Sequence, residues 1–167
     1  QETLEAALSR VADHPVSTVC AGRTDAGVHA SAQVVHFDTR AMRPLRAWVM
    51  GVNSLLPADV AVQWAREVAP DFHARFSARY RRYRYLVLTR AQRSALAAGS
   101  ACLERRPLDA PRMHEAAQCL LGERDFSAFR GAGCQSRTPM RRLDRVAVGR
   151  AGELLTIEVE ANAFLLH

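Results

Sequence analysis

The sequence predicts an α+β fold, with an antiparallel or mixed sheet flanked by helices. Three observations predict it. Segments with helical apolar spacing alternate with short β-branched runs, but without the regular βαβ repeat that builds a parallel sheet. The stretch Arg79 to Thr89 (RYRRYRYLVLT) alternates as a half-buried strand does, and Leu143–Val148 and Leu154–Glu160 flank Gly149 to Gly152 as a hairpin. At 167 residues and 49% apolar, the chain is the size of one domain, or most of one, and can bury a core.

Taken in order, Leu4, Leu8 and Val11 share a helical face, with Glu2 and Glu5 near the positive end of the dipole, so residues 2–12 read as an amphipathic helix that Pro15 follows. Val16 to Cys20 and Gln33 to Thr39 read as strands on either side of a polar loop. From Pro44 to Leu56, Leu45, Trp48, Val49, Val52 and Leu56 form a helical stripe, and Pro44 suits a first-turn position. Val60 to Val68 reads as a strand. In Arg79 to Thr89, Tyr83, Tyr85 and Val87 share one face, and Arg82, Arg84, Leu86 and Leu88 the other. Asp109 can cap a helix from about Arg112 to Leu121, ended by Gly122. In the terminal hairpin Leu155, Ile157 and Val159 point inward, and a further helix is expected from Asn162 onward.

The net charge of +6 has a particular origin: there is no lysine, and all 23 basic residues are arginine. Guanidinium is planar, permanently charged, bidentate toward phosphate and able to stack on bases. A polyanion-binding surface is one reading; replacement of lysine by arginine in a GC-rich genome is the other, although such a bias would not cluster the arginines. The cysteines at 20, 102, 119 and 134 form no C-x-x-C pair and no zinc spacing, which points to a reduced cytoplasmic protein. No apolar run approaches the roughly 20 residues that span a bilayer, and no signal peptide is expected.

Three places carry candidate chemistry. Asp25 lies between Gly22 and Gly27 in the polar loop AGRTDAGVHA (Ala21 to Ala30). It is either an Asx-turn residue bonding nearby backbone N–H groups, or a carboxylate presented to a ligand, with Arg23 able to hold it ionised as a nucleophile or general base requires. Arg75, Arg79, Arg81, Arg82 and Arg84 interleave with Phe76, Tyr80, Tyr83 and Tyr85. Arginines for phosphates and aromatics for bases suit RNA; the plainer alternative is tyrosines in the core and arginines along a solvated edge. The run Arg130 to Arg142 (RGAGCQSRTPMRR) combines glycines, hydroxyls and guanidiniums, yet lacks the G-K-[ST] ending of a nucleotide loop; it is a phosphate cradle or a mobile surface loop. His14, His29, His36, His73, His114 and His167 show no metal spacing, and although His36 and Asp38 share a strand face, two groups define no metal site. No G-x-S-x-G element is present.

Five blocks in order, A-G-R-T-D-A-G-V-H-A, F-H-A-R-F-S-A (Phe72 to Ala78), R-R-Y-R-Y (Arg81 to Tyr85), C-Q-S-R-T-P (Cys134 to Pro139) and N-A-F (Asn162 to Phe164), resemble the TruA-type tRNA pseudouridine synthases along the whole chain. The resemblance implies a single pseudouridine synthase catalytic region over 1–167, with Asp25 as catalytic aspartate, Arg23 displacing or replacing the target base, and Tyr83 against the uracil ring. It also implies RNA contacts from Arg75 and from Ser136 and Arg137, beside the Arg81, Arg82 and Arg84 suggested by the pattern itself. The implied reaction isomerises uridine to pseudouridine in the anticodon arm of tRNA (positions 38–40). It implies no organic cofactor, a tRNA partner and a homodimer. The family's G-x-x-Y-x-G-W-Q-like strand has no counterpart ahead of Gln1, and the segment whose arginine pairs with the catalytic aspartate has none after His167, so a piece of a longer protein is expected. A non-catalytic RNA-binding module using the same arginines is the alternative function. A metal-dependent hydrolase, the third, would want a second acid near Asp25.

Overall fold

The computed structural model describes residues 1–165 and divides into two compact units, Gln1–Ala78 and Arg79–His167. The described residues contain three α-helices and mixed and antiparallel sheets, which is the α+β class expected.

In the first unit, α1 (Glu2–Ala12) is as long as its periodicity predicts, with Glu2 and Glu5 in its first turn. It stops where Asp13 turns left-handed at φ 57° and donates its N–H to the Ser9 carbonyl. α2 (Leu45–Asn53) starts after Pro44, which is extended and stands as the N-cap rather than inside the first turn. The two helices bury Ala7, Leu8, Ala12, Trp48 and Val52 against Val16. Gly51 permits that approach, since a Cβ there would lie 3.3 Å from a Val11 methyl. Of the predicted stripe, Trp48 and Val52 form the buried centre, while Leu45 is exposed.

The strands of this unit are shorter than the alternation suggested. β1 (Val19–Cys20) and β2 (Val35–His36) pair antiparallel, Val19 opposite His36 and Cys20 opposite Val35. Residues 60–68 are not a strand, contrary to expectation. Alternation sets side chains, whereas a strand needs a backbone partner, and here Val62 is served by a side chain: the Asn53 amide accepts its N–H at 2.7 Å and donates to its carbonyl at 2.8 Å. Trp64 and Val68 stay exposed.

In the second unit, β3 (Arg81–Thr89), β4 (Cys102–Glu104), β5 (Gly122–Asp125), β6 (Met140–Ala151) and β7 (Leu154–Ala161) form one sheet in the order β4-β3-β7-β6-β5, with only β3 and β4 parallel. The expected hairpin is β6 and β7, longer than read and closing at Gly152 and Glu153. α3 (Ala110–Ala117) begins earlier than predicted, with the Asp109 carboxylate accepting the Arg112 N–H, and passes into a 3-10 turn over Gln118–Leu120. It covers one sheet face: Ala110 and Met113 pack on Val87, Leu155 and Ile157, and Ala117 and Leu120 pack around Leu143, Val146 and Ala161. β4 and β5 were not anticipated, one being three residues long and the other (GERD) exposed throughout. Asn162 to Leu165 are not helical; the rest of the helix expected there falls on Leu166 and His167, outside the described residues.

Candidate functional site

The Asp25 loop is pinned at its base. The Ala21 N–H donates to the Val34 carbonyl at 2.8 Å, and the Gln33 side chain donates to the Gly22 carbonyl at 2.6 Å, extending the β1–β2 pair by two rungs. Above that base, residues 23–32 are exposed. The Val28 N–H returns to the Asp25 carbonyl at 3.2 Å, closing a β-turn with Gly27 at φ +84°. A positive φ at the third turn position alone is the type II requirement, which glycine meets without strain.

Two expectations about Asp25 can be compared with this geometry. The Asx turn does not form: among the described residues, no hydrogen bond or ion pair engages the Asp25 side chain. Nor does Arg23 pair with it, although both are exposed on the same loop. The carboxylate is thus held by its backbone and left available at the side chain.

The F-H-A-R-F-S-A block folds on β2. His36 Nδ1 accepts the Ala74 N–H at 3.1 Å, and its ring lies 4.8 Å from that of His73 and edge-on to Phe72. His73 in turn stacks on Phe76 at 4.2 Å, and its carbonyl accepts the Ser77 N–H at 2.7 Å. Ala74 is buried at the centre, while Arg75 and Phe76 face outward with the guanidinium 5.9 Å from the ring centroid. His36 is therefore an anchor in this turn. Among the described residues, no three His, Cys, Asp or Glu side chains gather as metal ligands would.

On β3, Tyr83 is half-buried and meets Phe164 edge to face at 4.8 Å, joining the R-R-Y-R-Y and N-A-F blocks. The neighbouring arginines are arranged differently from a bare cationic row. Arg82 sits opposite Glu160 and Arg84 opposite Glu158, with ion-pair distances of 2.6 and 2.8 Å. The Arg84 bond, assisted by Arg145 and Arg82, holds the Glu158 carboxyl below its usual range, and Glu160 raises Arg82. Arg81 donates to the Asn162 carbonyl at 3.0 Å.

The Arg130 to Arg142 loop is braced by two of its own arginines. Arg130 donates to the carbonyls of Cys134 and Ser136, at 3.3 and 2.6 Å. Arg141, buried, donates to the Thr138 carbonyl at 2.9 Å and to the Ser136 hydroxyl. Ser136 is thus committed inside the loop, while Arg137 is exposed and, among the described residues, without an ion pair or hydrogen bond. Sequence reading missed these braces, and it missed Glu158 and Glu160, whose period-two spacing on β7 matches Arg82 and Arg84 on β3 once the register is known.

Asp25, Arg23 and Arg75 belong to the first unit, and Tyr83, Arg81, Arg82, Arg84, Ser136 and Arg137 to the second. Comparison with known proteins bears on both. The chain is similar over its whole length to proteins named tRNA pseudouridine synthase A: 54% identical to that of Salmonella arizonae, and 56% to those of Coxiella burnetii and Yersinia pestis. It spans 62%, 64% and 63% of those proteins, a little under two thirds of each. A family model described as tRNA pseudouridine synthase matches residues 1–77 and 116–167, covering the Asp25 loop, the F-H-A-R-F block and the Arg130 to Arg142 loop. By that match over most of its length, the chain belongs to the tRNA pseudouridine synthase family.

Proposed function

We propose that this chain carries the catalytic region of an enzyme that isomerises uridine to pseudouridine in the anticodon arm of tRNA, with Asp25 as the reacting carboxylate and no cofactor. The observation that carries the reading is the side chain of Asp25: exposed, fixed by a type II turn, and spared the Asx bonding that a purely structural turn residue would make.

The chemistry asked of that carboxylate balances without a redox partner. The bond from N1 of uracil to C1′ of ribose breaks, the base turns, and a bond from C5 to C1′ forms. C5 loses a proton and N1 regains one. A carboxylate can attack to form a covalent intermediate that holds the detached components, or act as the base in an elimination at the sugar. Tyr83, its ring set edge-on by Phe164, is suited to lie against the uracil, and Arg23 to fill the place of the extruded base. Extrusion costs a few kcal/mol, which contacts from Arg75, Arg81 and Arg137 can offset. Arg82 and Arg84 would reach phosphate only by sharing or leaving their glutamates, and Ser136 acts through the loop it stabilises. In this reading the chain is the catalytic region of a cytoplasmic homodimer.

The rival is an RNA-binding module with no chemistry. Incubating the full-length protein with tRNA and mapping carbodiimide adducts in the anticodon arm separates them: stable adducts at former uridines, formed also in excess chelator, support the isomerase. Salt-sensitive binding without any adduct supports the rival, and activity abolished by chelator would point to a metal-dependent reaction instead.

A further inference from the structure

A second cationic site lies at the far end of the β3–β7–β6 sheet. Thr89, Arg90, Arg105, Pro107, Leu108 and Arg150 line an open depression of about 340 Å³. Its guanidiniums come from three separate places: the end of β3, the loop after β4, and β6 near its turn.

Two features separate it from the arginines of β3. First, the charge is not cancelled. Arg105 is held by the Ala91 carbonyl at 3.3 Å, and Arg150 by the carbonyls of Leu108 at 2.8 Å and Gly152 at 3.4 Å. Neutral acceptors fix both side chains, and among the described residues neither meets a carboxylate. Arg90 alone has one, Glu153, at 3.4 Å. Second, two of the residues that line it, Thr89 and Arg90, bury a polar atom, Oγ1 and Nε, that has no hydrogen-bond partner among the described residues. Buried donors without acceptors are costly, so a turn of either side chain toward an anion in the depression relieves that cost as well as meeting the charge.

We propose that this depression is a phosphate-binding site. A tetrahedral group with several acceptor oxygens suits three guanidiniums and a hydroxyl arriving from different directions, and fixed guanidiniums lose little entropy on binding it. The group is a phosphodiester of bound RNA or a free phosphate. The RNA source rests on the tRNA reading above, whereas the site itself does not.

The test follows the side-chain Nε–H resonances of Arg90, Arg105 and Arg150 in the full-length protein while inorganic phosphate, and separately tRNA, is added. Pseudouridine formation is assayed in the same tRNA samples, so that a failure of the reaction is seen apart from a failure of the site. Movement of these resonances with tRNA, reversed by excess phosphate, supports an RNA phosphodiester. Movement with phosphate alone supports a free-phosphate site. Arg150→Gln should weaken phosphate binding about tenfold, the scale of one charge-assisted bond. If RNA is the source, it should also lower the salt slope of tRNA binding by about one. Arg106→Gln removes an equal charge beside the site, where Arg106 is bound to Glu104, and should change neither. No movement with either ligand, or equal effects from Arg106→Gln and Arg150→Gln, would overturn the proposal.

Discussion

His36 Nδ1 accepts the backbone N–H of Ala74 at 3.1 Å, so the strand that carries one arm of the Asp25 loop also carries the turn that displays Arg75 and Phe76. One imidazole thereby ties two of the sequence blocks together inside the first unit. Ala74 is 3% exposed, and its N–H has no ready access to water. Replacing His36 by Leu keeps an apolar body but removes the acceptor. The expected loss is about 1–3 kcal/mol, the cost of an unsatisfied buried donor, read by denaturant unfolding. A loss well under that range would show that the bond does not hold the turn.

Gly27 gives a prediction in which geometry and sterics separate. A Cβ at this position meets nothing within 4 Å, so Gly27→Ala suffers only the backbone cost of φ +84°, about 1–2 kcal/mol. The chain should fold with a slightly lower melting temperature. Turnover should fall by an order of magnitude or more, because the turn that aims Asp25 relaxes. Turnover that tracks stability alone would detach Gly27 from the site.

The cross-strand pairs Arg82–Glu160 and Arg84–Glu158 moderate the cationic face of β3. Their arginines are 49% and 63% exposed, so breaking the pairs should barely alter stability. Glu158→Gln combined with Glu160→Gln should instead tighten tRNA binding and steepen its salt dependence by up to about two in the log–log slope. Because Arg84 holds the Glu158 carboxyl below its ordinary value of 4.5, this carboxylate stays charged as the pH falls from 7 to 5. Wild-type affinity should gain nothing from its protonation in that window. Unchanged affinity in the double variant would mean that RNA does not reach this face.

Glu5 links α1 to the residue ahead of β1. Its Oε1 accepts from the Gln1 side chain at 2.8 Å and from the Thr18 N–H and hydroxyl at 2.7 and 2.9 Å. These bonds, Gln1 first, lower the Glu5 pKa. A carboxyl depressed in the folded state stabilises fully above its unfolded value, and that contribution disappears as pH falls through the folded one. Glu5→Gln should therefore lower the melting temperature by a few degrees at pH 7, with the gap to wild type closing in acid. A gap that persists below the folded value would assign the effect to packing.

Where one chain segment supplies its own signal, the fold was legible. α1 shows its periodicity and ending, α3 its Asp109 cap, and the β6–β7 hairpin its alternation. Residues 60–68 show the limit: they alternate like a strand, yet Asn53 serves Val62 where a neighbouring strand was expected. β5 carries no apolar pattern because its residues are exposed, and only the β6 partner defines it. The candidate site divides similarly. Asp25, Tyr83 and Arg137 were named from motifs, whereas the bracing by Arg130 and Arg141 and the masking by Glu158 and Glu160 depend on register and loop closure.

The most direct measurement compares wild type with Asp25→Asn for release of the C5 hydrogen from labelled uridine in tRNA, with binding measured in parallel. Asn retains the size of the side chain and removes the charge, and among the described residues the exposed side chain has no bond to lose. The expected result is tRNA affinity within a few-fold of wild type and no detectable hydrogen release. Release at the wild-type rate by Asp25→Asn would contradict the assignment of Asp25 as the reacting carboxylate.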